Sequence, residues 1–315
     1  MGRKRKGDAV NGWLVLDKPL NLGSTQAVSR VRRLFNAQKA GHAGTLDPLA
    51  TGVLPIALGE ATKTVPFLVE ADKTYAFTIA WGATTTTFDG EGQVTERSDV
   101  RPAREAVAEA LKAFVGEILQ VPPAYSAIKV DGERAYDLAR EGIEVELAPR
   151  KVVIHAARVT GAADADHVDI EIDCGKGTYV RALARDLAAT LGVCGHVSAL
   201  RRLRVGGFST QNATTLEMLE ELCHTGRASE VLLPVETALD DIPVLAVTAE
   251  DAFRLSQGRP IVLLPRQVET LKARLADPTG DGFASRTVLA THGGSAVSIC
   301  EMRVGHLSPT RVFNL

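Results

Sequence analysis

The sequence lacks the features that would place the chain in a membrane or outside the cell. No apolar run approaches the roughly 18 to 20 residues that a membrane-spanning helix needs. The N-terminus, MGRKRKGDAV, is basic, but it has neither the apolar core nor the small-residue cleavage site of a secretory signal. Internal repeats and low-complexity tracts are also missing. We therefore expect a cytoplasmic globular protein in which residues 1–10 form a flexible basic tail.

Cysteine and histidine are too scattered to suggest a metal centre or a disulfide framework. The four cysteines are far apart and form no C-x-x-C pair, and the seven histidines do not cluster. Structural zinc and small disulfide-rich folds both depend on closely spaced ligands or paired cysteines. We expect reduced, structural thiols and a protein without a metal or other cofactor.

The net charge of −2 is small, but the charge is unevenly distributed along the chain. Residues 1–60 carry nine Lys/Arg and four Asp/Glu, whereas residues 216–250 carry eight Asp/Glu and only one basic residue, Arg227. In the net charge, an acidic stretch of this kind offsets basic residues located elsewhere in the chain. The sequence is therefore compatible with a basic face that binds an anionic partner such as nucleic acid.

The first half of the chain predicts strands and helices in irregular alternation. GWLVLDK reads as an apolar strand, and Ser24 stands where the N-cap of the next helix is expected. TYAFTIAWG alternates strictly, which places Tyr75, Phe77, Ile79 and Trp81 on one face of a half-buried strand. Pro102 is expected to open a helix with a core-facing set of apolar residues, Val107, Leu111, Phe114 and Val115.

The second half continues this pattern and ends in a region rich in strands. HVDIEID predicts another alternating strand, and TYVRALARDLAATLG predicts a helix that ends at Gly192. After about Pro243 a short helix and several strands are expected. Because the elements do not follow regular βαβ spacing, we predict an α+β fold with a mixed sheet, followed by a small β-rich C-terminal domain.

The segment GHAGTLDPLATG, residues 41–52, contains a carboxylate at Asp47 in a loop of restricted shape. Gly44 and Gly52 bracket the segment, and Pro48 fixes the backbone directly after Asp47. Loops of defined shape often hold catalytic groups. Local pattern alone favours a structural Asp-Pro turn over a catalytic role for Asp47, because Asp is common in turns.

Five ordered motifs resemble those of the TruB-type tRNA pseudouridine synthases, a family that modifies a uridine in the T loop of tRNA. They cover residues 12–207 almost continuously and read GWLVLDKPLNLGST, GHAGTLDPLATGVLPIALGEATK, DKTYAFTIAWG, VPPAYSAIKVDGERAYDLAREG and CGKGTYVRALARDLAATLG. The resemblance implies a mainly antiparallel pseudouridine synthase sheet in a catalytic domain at residues 11–241, with an RNA-gripping insertion near 121–150. It also implies a PUA-type RNA-binding domain at residues 242–315.

By resemblance, three residues carry the chemistry. Asp47 is the catalytic aspartate, Arg181 is its ion-pair partner, and Tyr75 stacks on the target base and is a candidate for proton transfer at its C5. A carboxylate can add to an electrophilic carbon, remove a sugar proton or stabilise oxocarbenium-like charge without a metal. Which of these Asp47 does stays open. Without the resemblance, Arg181 would pass as an exposed helix arginine and Tyr75 as a core residue.

The resemblance also implies a set of substrate-binding residues: Lys18, His42, Lys63, Asp89, Lys129, Tyr179 and Leu200. His42 is expected to lie against RNA bases, Tyr179 and Leu200 to line the pocket, and Lys18 to support it. Lys63 and Lys129 are expected to bind RNA phosphates, for which other basic residues, Arg202 among them, are further candidates. Thr86 stands where the family usually has an acidic residue, which leaves Asp89 as the retained carboxylate of that segment.

The predicted function is conversion of uridine-55 in the T loop of tRNA to pseudouridine. The base must first be flipped out of the RNA loop, at a cost of about a few kcal/mol. We expect a monomer that needs no guide RNA or obligatory protein partner. Two alternatives remain: a catalytic subunit of an RNA-guided particle, and a non-catalytic RNA-binding or RNA-folding protein on the same scaffold. Activity of the protein without guide RNA would exclude the RNA-guided alternative. Binding of tRNA without any pseudouridine formation would indicate the non-catalytic alternative.

Overall fold

A computed structural model gives the fold, and it describes residues 7–126, 129–130, 133–134, 147–275 and 286–315. The helices are α1 (Ser24–Leu34), α2 (Val65–Glu70), α3 (Arg104–Leu111), α4 (Val180–Leu191), α5 (Leu216–His224), α6 (Ala249–Ser256) and α7 (Pro265–Leu275). The strands are β1 (Gly12–Lys18), β2 (Ala40–His42), β3 (Ala50–Leu58), β4 (Lys73–Trp81), β5 (Ala83–Thr85), β6 (Val94–Arg97), β7 (Gly116–Gln120), β8 (Lys129–Val130), β9 (Glu133–Arg134), β10 (Arg150–Gly161), β11 (His167–Cys174), β12 (Gly195–Val205), β13 (Phe208–Ser209), β14 (Val244–Ala246), β15 (Ile261–Val262), β16 (Thr287–His292), β17 (Ser295–Arg303) and β18 (His306–Val312).

A nine-stranded sheet forms the centre of the molecule. Seven of its strands follow the order β1-β3-β12-β4-β11-β10-β7, while β2 pairs with β3 and β13 pairs with β12. All pairs are antiparallel except β12 with β3, which run parallel. The predicted α+β fold with a mixed, mainly antiparallel sheet is confirmed.

Helices α3 and α4 cover one face of the sheet. Their apolar residues pack with Phe77, Ile79 and Trp81 of β4 and with the inward residues of β11 in one continuous core. The alternation predicted for the β4 segment is therefore confirmed. α4 also ends as predicted, because Gly192 takes up the left-handed conformation (φ 67°) that terminates a helix without steric cost.

Two details of the predicted elements are wrong. Ser24 is the first residue of α1 and does not cap it, since Gly23 holds the N-cap position and the Ser24 hydroxyl bonds to Leu46. Val115 lies beyond α3, at the start of the turn into β7, and is 45% exposed. Both errors concern helix ends, where partners distant in sequence decide the geometry.

A second sheet follows near the C-terminus, with the order β14-β16-β17-β18-β15. It encloses its own apolar core together with α6 and α7, of which α7 was not expected. Leu289, Ile299 and Phe313 of this part also pack against Trp13 and Phe208 of the central sheet. The β-rich C-terminal region is confirmed.

Some predictions fall outside the described residues. These are residues 1–6 of the basic tail and most of the insertion expected near 121–150. Within the described part of the chain, no helix is both long and apolar enough to cross a membrane.

Candidate active site

The loop that carries Asp47 connects β2 to β3, and two side chains, Ser24 and Lys18, hold its backbone. Ser24 Oγ donates to the carbonyl of Leu46 (2.7 Å) and accepts its N–H (2.8 Å). Lys18 Nζ donates to the carbonyls of Leu22 (2.7 Å) and Pro48 (3.4 Å). The residues on both sides of Asp47 are therefore fixed before any substrate binds.

Glycine is required at one end of this segment. Gly52 has a φ of 97°, and a Cβ placed on it would lie 2.2 Å from the carbonyl oxygen of Arg202. Both the dihedral angle and the close approach of the neighbouring strand exclude a side chain. Gly44, at the other end, also has a positive φ, 95°. The paired glycines thus shape the loop that presents Asp47.

Arg181 lies in the first turn of α4, and its guanidinium points to Asp47. The helix start is anchored to β7, because the Tyr179 N–H donates to Gln120 Oε1 (2.8 Å) and Gln120 Nε2 donates back to the Tyr179 carbonyl (3.2 Å). Arg181 Nη2 lies 2.9 Å from Asp47 Oδ2, and Arg181 Nε lies 3.5 Å from Asp89 Oδ2. The Arg181 side chain is 7% exposed and that of Asp47 is 39% exposed. One buried arginine therefore joins two carboxylates, of which Asp47 faces solvent.

Asp47 and Arg181 line a cavity of about 560 Å³. Tyr75 of β4, Tyr179 and Leu200 of β12 form part of its wall. Basic residues, Arg150, Lys151 and Lys176 among them, also line the cavity, so it combines aromatic and apolar side chains that can enclose a base with cations that can meet a phosphate. The structure brings together five of the residues that the resemblance singled out.

Burial changes the ionisation of the groups in this cavity. Desolvation raises the pKa of Tyr75, an effect that the nearby Arg202 guanidinium opposes. Desolvation also raises the pKa of Tyr179. Burial lowers the pKa of Lys18 to about 8, although attraction to Asp47 partly counteracts it. Both tyrosines are therefore held in the neutral form at neutral pH.

Asp89 lies outside the cavity wall and is 3% exposed. Its carboxylate accepts hydrogen bonds from the Thr87 hydroxyl and from the Glu91 N–H (3.0 Å), and it faces Arg181. The structure thus places Asp89 behind Arg181 and away from the surface that RNA would contact. Thr86, at the position where the family has an acidic residue, is exposed.

The remaining predicted residues are dispersed. His42 ends β2 outside the cavity wall, where burial and the positive charge of Arg202 lower its pKa, so the ring stays neutral. Lys63 donates to Glu60 Oε2 (2.5 Å) and to the carbonyl of Val312 (2.6 Å), which ties the central sheet to the C-terminal one. The Lys129 side chain lies outside the described residues, although its backbone forms part of β8.

Of two charged residues near the cavity, Glu91 was not predicted from the sequence and Arg202 was assigned a different role. Glu91, close to Asp47 and Asp89, has a pKa raised by desolvation and by both carboxylates. Arg202, considered above as a phosphate contact, is 1% exposed, and its guanidinium donates to the backbone carbonyls of Val53 and Gly44. The alternation of side chains along β12 could have predicted that Arg202 faces the cavity. Arg202 follows Leu200 by two residues and therefore shares its face of the sheet.

Metal ligation has no support in the part of the chain that the structure describes. No group of three or more His, Cys, Asp or Glu side chains in it could hold a metal ion. The cavity instead combines the Asp47–Arg181 ion pair, two phenols, apolar wall residues and several basic residues. The carboxylate and the phenols are groups suited to proton transfer or to covalent attack by a carboxylate.

Solved structures share this fold over nearly the whole chain. A chain in the crystal structure of a Cbf5-Nop10-Gar1 complex superposes with a TM-score of 0.70 at 23% identity, covering 96% of this chain and 85% of that one. A chain in the structure of an H/ACA RNP bound to a substrate RNA containing 2'-deoxyuridine gives 0.71 at 20% identity, covering 100% and 92%. At these identities the likeness concerns the fold alone.

Sequence relatives and family models define the class. The model for the TruB family pseudouridylate synthase N-terminal domain matches residues 32–180, and the model for the tRNA pseudouridylate synthase B C-terminal domain matches residues 181–240. A tRNA pseudouridine synthase B of Caulobacter sp. (strain K31) is 69% identical, with all of both chains covered. One of Bradyrhizobium diazoefficiens is 52% identical, over 97% of this chain and 86% of its own. Fold, site and relatives together define a pseudouridylate synthase.

The chain belongs to the TruB family of these enzymes, since the two models together match well over half of it.

Proposed function

We propose that this protein converts uridine-55 in the T loop of tRNA to pseudouridine, acting as a cytoplasmic monomer without cofactor or guide RNA. The observation that carries the proposal is the Asp47–Arg181 ion pair of 2.9 Å in the wall of a cavity of about 560 Å³, in a chain of the TruB family. The isomerisation breaks the bond between ribose C1′ and uracil N1, turns the base and joins C1′ to C5. A proton leaves C5 and one is taken up at N1, so atoms and charge balance without an external reagent.

Asp47 supplies the reactive carboxylate. Its side chain is 39% exposed while that of its partner Arg181 is 7% exposed, so the carboxylate opens to the cavity and the guanidinium stays behind it. A guanidinium that donates to one carboxylate oxygen holds that carboxylate in one orientation. Asp47 can therefore meet C1′ or the base directly once the nucleotide is flipped out.

The cavity wall receives the flipped base. Tyr75 stacks on uracil and mediates proton transfer at C5, and Tyr179 and Leu200 enclose the remaining surface. These contacts replace the stacking that the base loses on leaving the RNA loop. Stacking on the cavity walls offsets part of the free energy needed to flip the base, and contacts to the RNA backbone offset the remainder.

In this proposal the two domains have different roles. Residues 11–241 form the catalytic domain with an RNA-gripping insertion near 121–150, and residues 242–315 form a PUA-type RNA-binding domain. The C-terminal sheet packs on the catalytic sheet through Ile299 and Phe313, which supports a fixed arrangement of two RNA-contacting parts.

Replacing Asp47 by Asn tests the function. The variant keeps the size and shape of the side chain but removes its charge, so we expect tRNA binding within about twofold of wild type and a loss of rate of at least 10³-fold, about the effect of a lost catalytic proton-transfer group or nucleophile. Pseudouridine is measured by mass spectrometry after chemical labelling of an unmodified tRNA transcript, without guide RNA.

Each outcome of this experiment is informative. Product at the T-loop uridine with wild type only, while both proteins bind, supports the proposal. Binding by both proteins without product from either would indicate the non-catalytic RNA-binding alternative. Product that appears only after a guide RNA is added would indicate the RNA-guided alternative.

A further inference from the structure

Arg202 is a buried cation for which the described residues provide no carboxylate partner. It is 1% exposed, and none of the ion pairs in the described part of the chain includes it. A buried charge without a partner is strongly destabilising unless hydrogen bonds replace its lost hydration. Retention of an arginine at this position therefore requires a compensating set of acceptors.

Backbone carbonyls on both sides of Asp47 provide these acceptors. Arg202 Nε donates to the carbonyl of Val53 (2.7 Å), Nη2 donates to that of Gly44 (3.1 Å), and Nη1 lies 3.4 Å from that of Thr45. Gly44 and Thr45 enter the loop that carries Asp47, and Val53 follows it in β3. A single rigid fork of donors thus ties together the entry to and the exit from this loop.

The same guanidinium lies against Tyr75. The two residues are direct cross-strand partners in β12 and β4, so their side chains are neighbours on the face of the sheet that lines the cavity. The other charged or titratable groups that face Tyr75 are Cys174 on β11 and Asp47 on its loop. Arg202 is the cation in this set, and its positive charge lowers the pKa of Tyr75 against the effect of burial.

We propose that Arg202 is a positioning residue, which holds the Asp47 loop by its carbonyls and stabilises negative charge on the Tyr75 oxygen. Arg202 acts through these two groups, because the residue is 1% exposed and its donors are bonded to backbone carbonyls beside Asp47. Lysine cannot replace it, because an ammonium has no planar fork that spans three carbonyls. This inference rests on the proposed function for its effect on rate, but its effect on Tyr75 is independent of RNA.

The rate experiment compares wild type, Arg202→Lys, Arg202→Met and the matched control Arg201→Met. Arg201 is the adjacent residue on the opposite face of β12, where it forms a bidentate pair with Asp17 (2.9 and 2.8 Å). We expect both Arg202 variants to bind tRNA within about twofold of wild type and to lose on the order of 10²-fold in kcat, as for a misplaced catalytic group. The control Arg201→Met is expected to stay within about twofold of wild type in both tRNA binding and kcat.

The second readout is the ionisation of Tyr75 itself, measured without RNA. Fluorotyrosine is incorporated at position 75, and its 19F chemical shift is followed with pH in wild type and in the Arg202 variants. We expect the titration of Arg202→Met to move to higher pH, because the opposing cation is gone, and that of Arg202→Lys to move less. Loss of structure alone would not produce this order.

The two readouts separate the possible failures. No pseudouridine from wild type would overturn the proposed function and leave the Tyr75 titration to decide the charge effect. Wild-type kcat in Arg202→Lys would overturn the positioning effect, and an unshifted Tyr75 titration in Arg202→Met would overturn the charge effect. If Arg202→Met fails to fold by circular dichroism, Arg202→Lys decides both questions.

Discussion

The two faces of the central sheet carry arginine–aspartate pairs of nearly equal length in very different surroundings. On the cavity face, Arg181 lies 2.9 Å from Asp47 and its side chain is 7% exposed. On the opposite face, Arg201 lies 2.8 Å from Asp17 and its side chain is 40% exposed. Distance therefore does not distinguish the pair proposed to be functional from the one on the open face.

Burial accounts for the difference. An exposed pair is screened by water and salt and contributes about 0–1 kcal/mol. Loss of the buried Arg181 guanidinium would instead leave the Asp89 carboxylate, whose side chain is 4% exposed, without its cation, at a cost of about 3–5 kcal/mol. The cavity face also links its charges into a network, since Arg181 serves Asp89 as well as Asp47. Charge on this face is organised around one solvent-accessible carboxylate, and charge on the other face is distributed in local pairs.

Arg181→Met is expected to have the largest effect. Removal of this guanidinium leaves Asp47 and Asp89 without their shared cation, so we expect pseudouridine formation to fall by on the order of 10³-fold, at the upper end for the loss of one charge-stabilising donor. Single-turnover rates on a tRNA transcript measure the effect. Arg201→Met is the matched change on the opposite face, and equal rates for the two variants would remove the distinction between the faces.

Lys18 provides an intermediate effect that depends on pH. Its pKa is about 8 in the folded protein and 10.5 in an unfolded chain, so the unfolded state binds more protons between these values. The free energy of unfolding of wild type relative to Lys18→Met should therefore rise with pH from about 8 to about 10.5, and the penalty of the buried charge is fully present below this window.

The rise is expected to be on the order of 3 kcal/mol, because one pKa unit corresponds to about 1.4 kcal/mol and the Lys18 side chain is buried. Urea denaturation of both proteins at several pH values measures it. A difference between the two proteins that stays constant over this window, or falls with pH, would contradict the lowered pKa of Lys18.

The smallest effect is expected on the opposite face. Loss of the exposed Arg201–Asp17 pair in Arg201→Met should reduce the free energy of unfolding by less than about 1 kcal/mol, and high salt should reduce the difference further. Urea denaturation in low and high salt provides the measurement. A loss of several kcal/mol would show that the open face is as tightly coupled as the cavity face.

Apolar patterns in the sequence predicted much of the fold. β1, β4, β11 and α4 lie where their alternation or helical spacing indicated, and Gly192 ends α4 as expected. These elements were predictable because a strand or helix buries one face. The apolar residues of that face recur at a fixed spacing in the sequence. The resemblance then supplied the residues of the cavity, which local pattern alone did not single out.

The polar contacts depended on the tertiary structure. Ser24 appeared to be a helix cap, Lys63 an RNA contact and Arg202 a surface cation, but each bonds to backbone brought close only by the sheet order. Arg202 and Gly44 are 158 residues apart in the chain. The sequence by itself determined which residue types line each face of each element. Only folding decided which distant carbonyl or carboxylate each buried donor meets, because a hydrogen bond requires distances that no local pattern specifies.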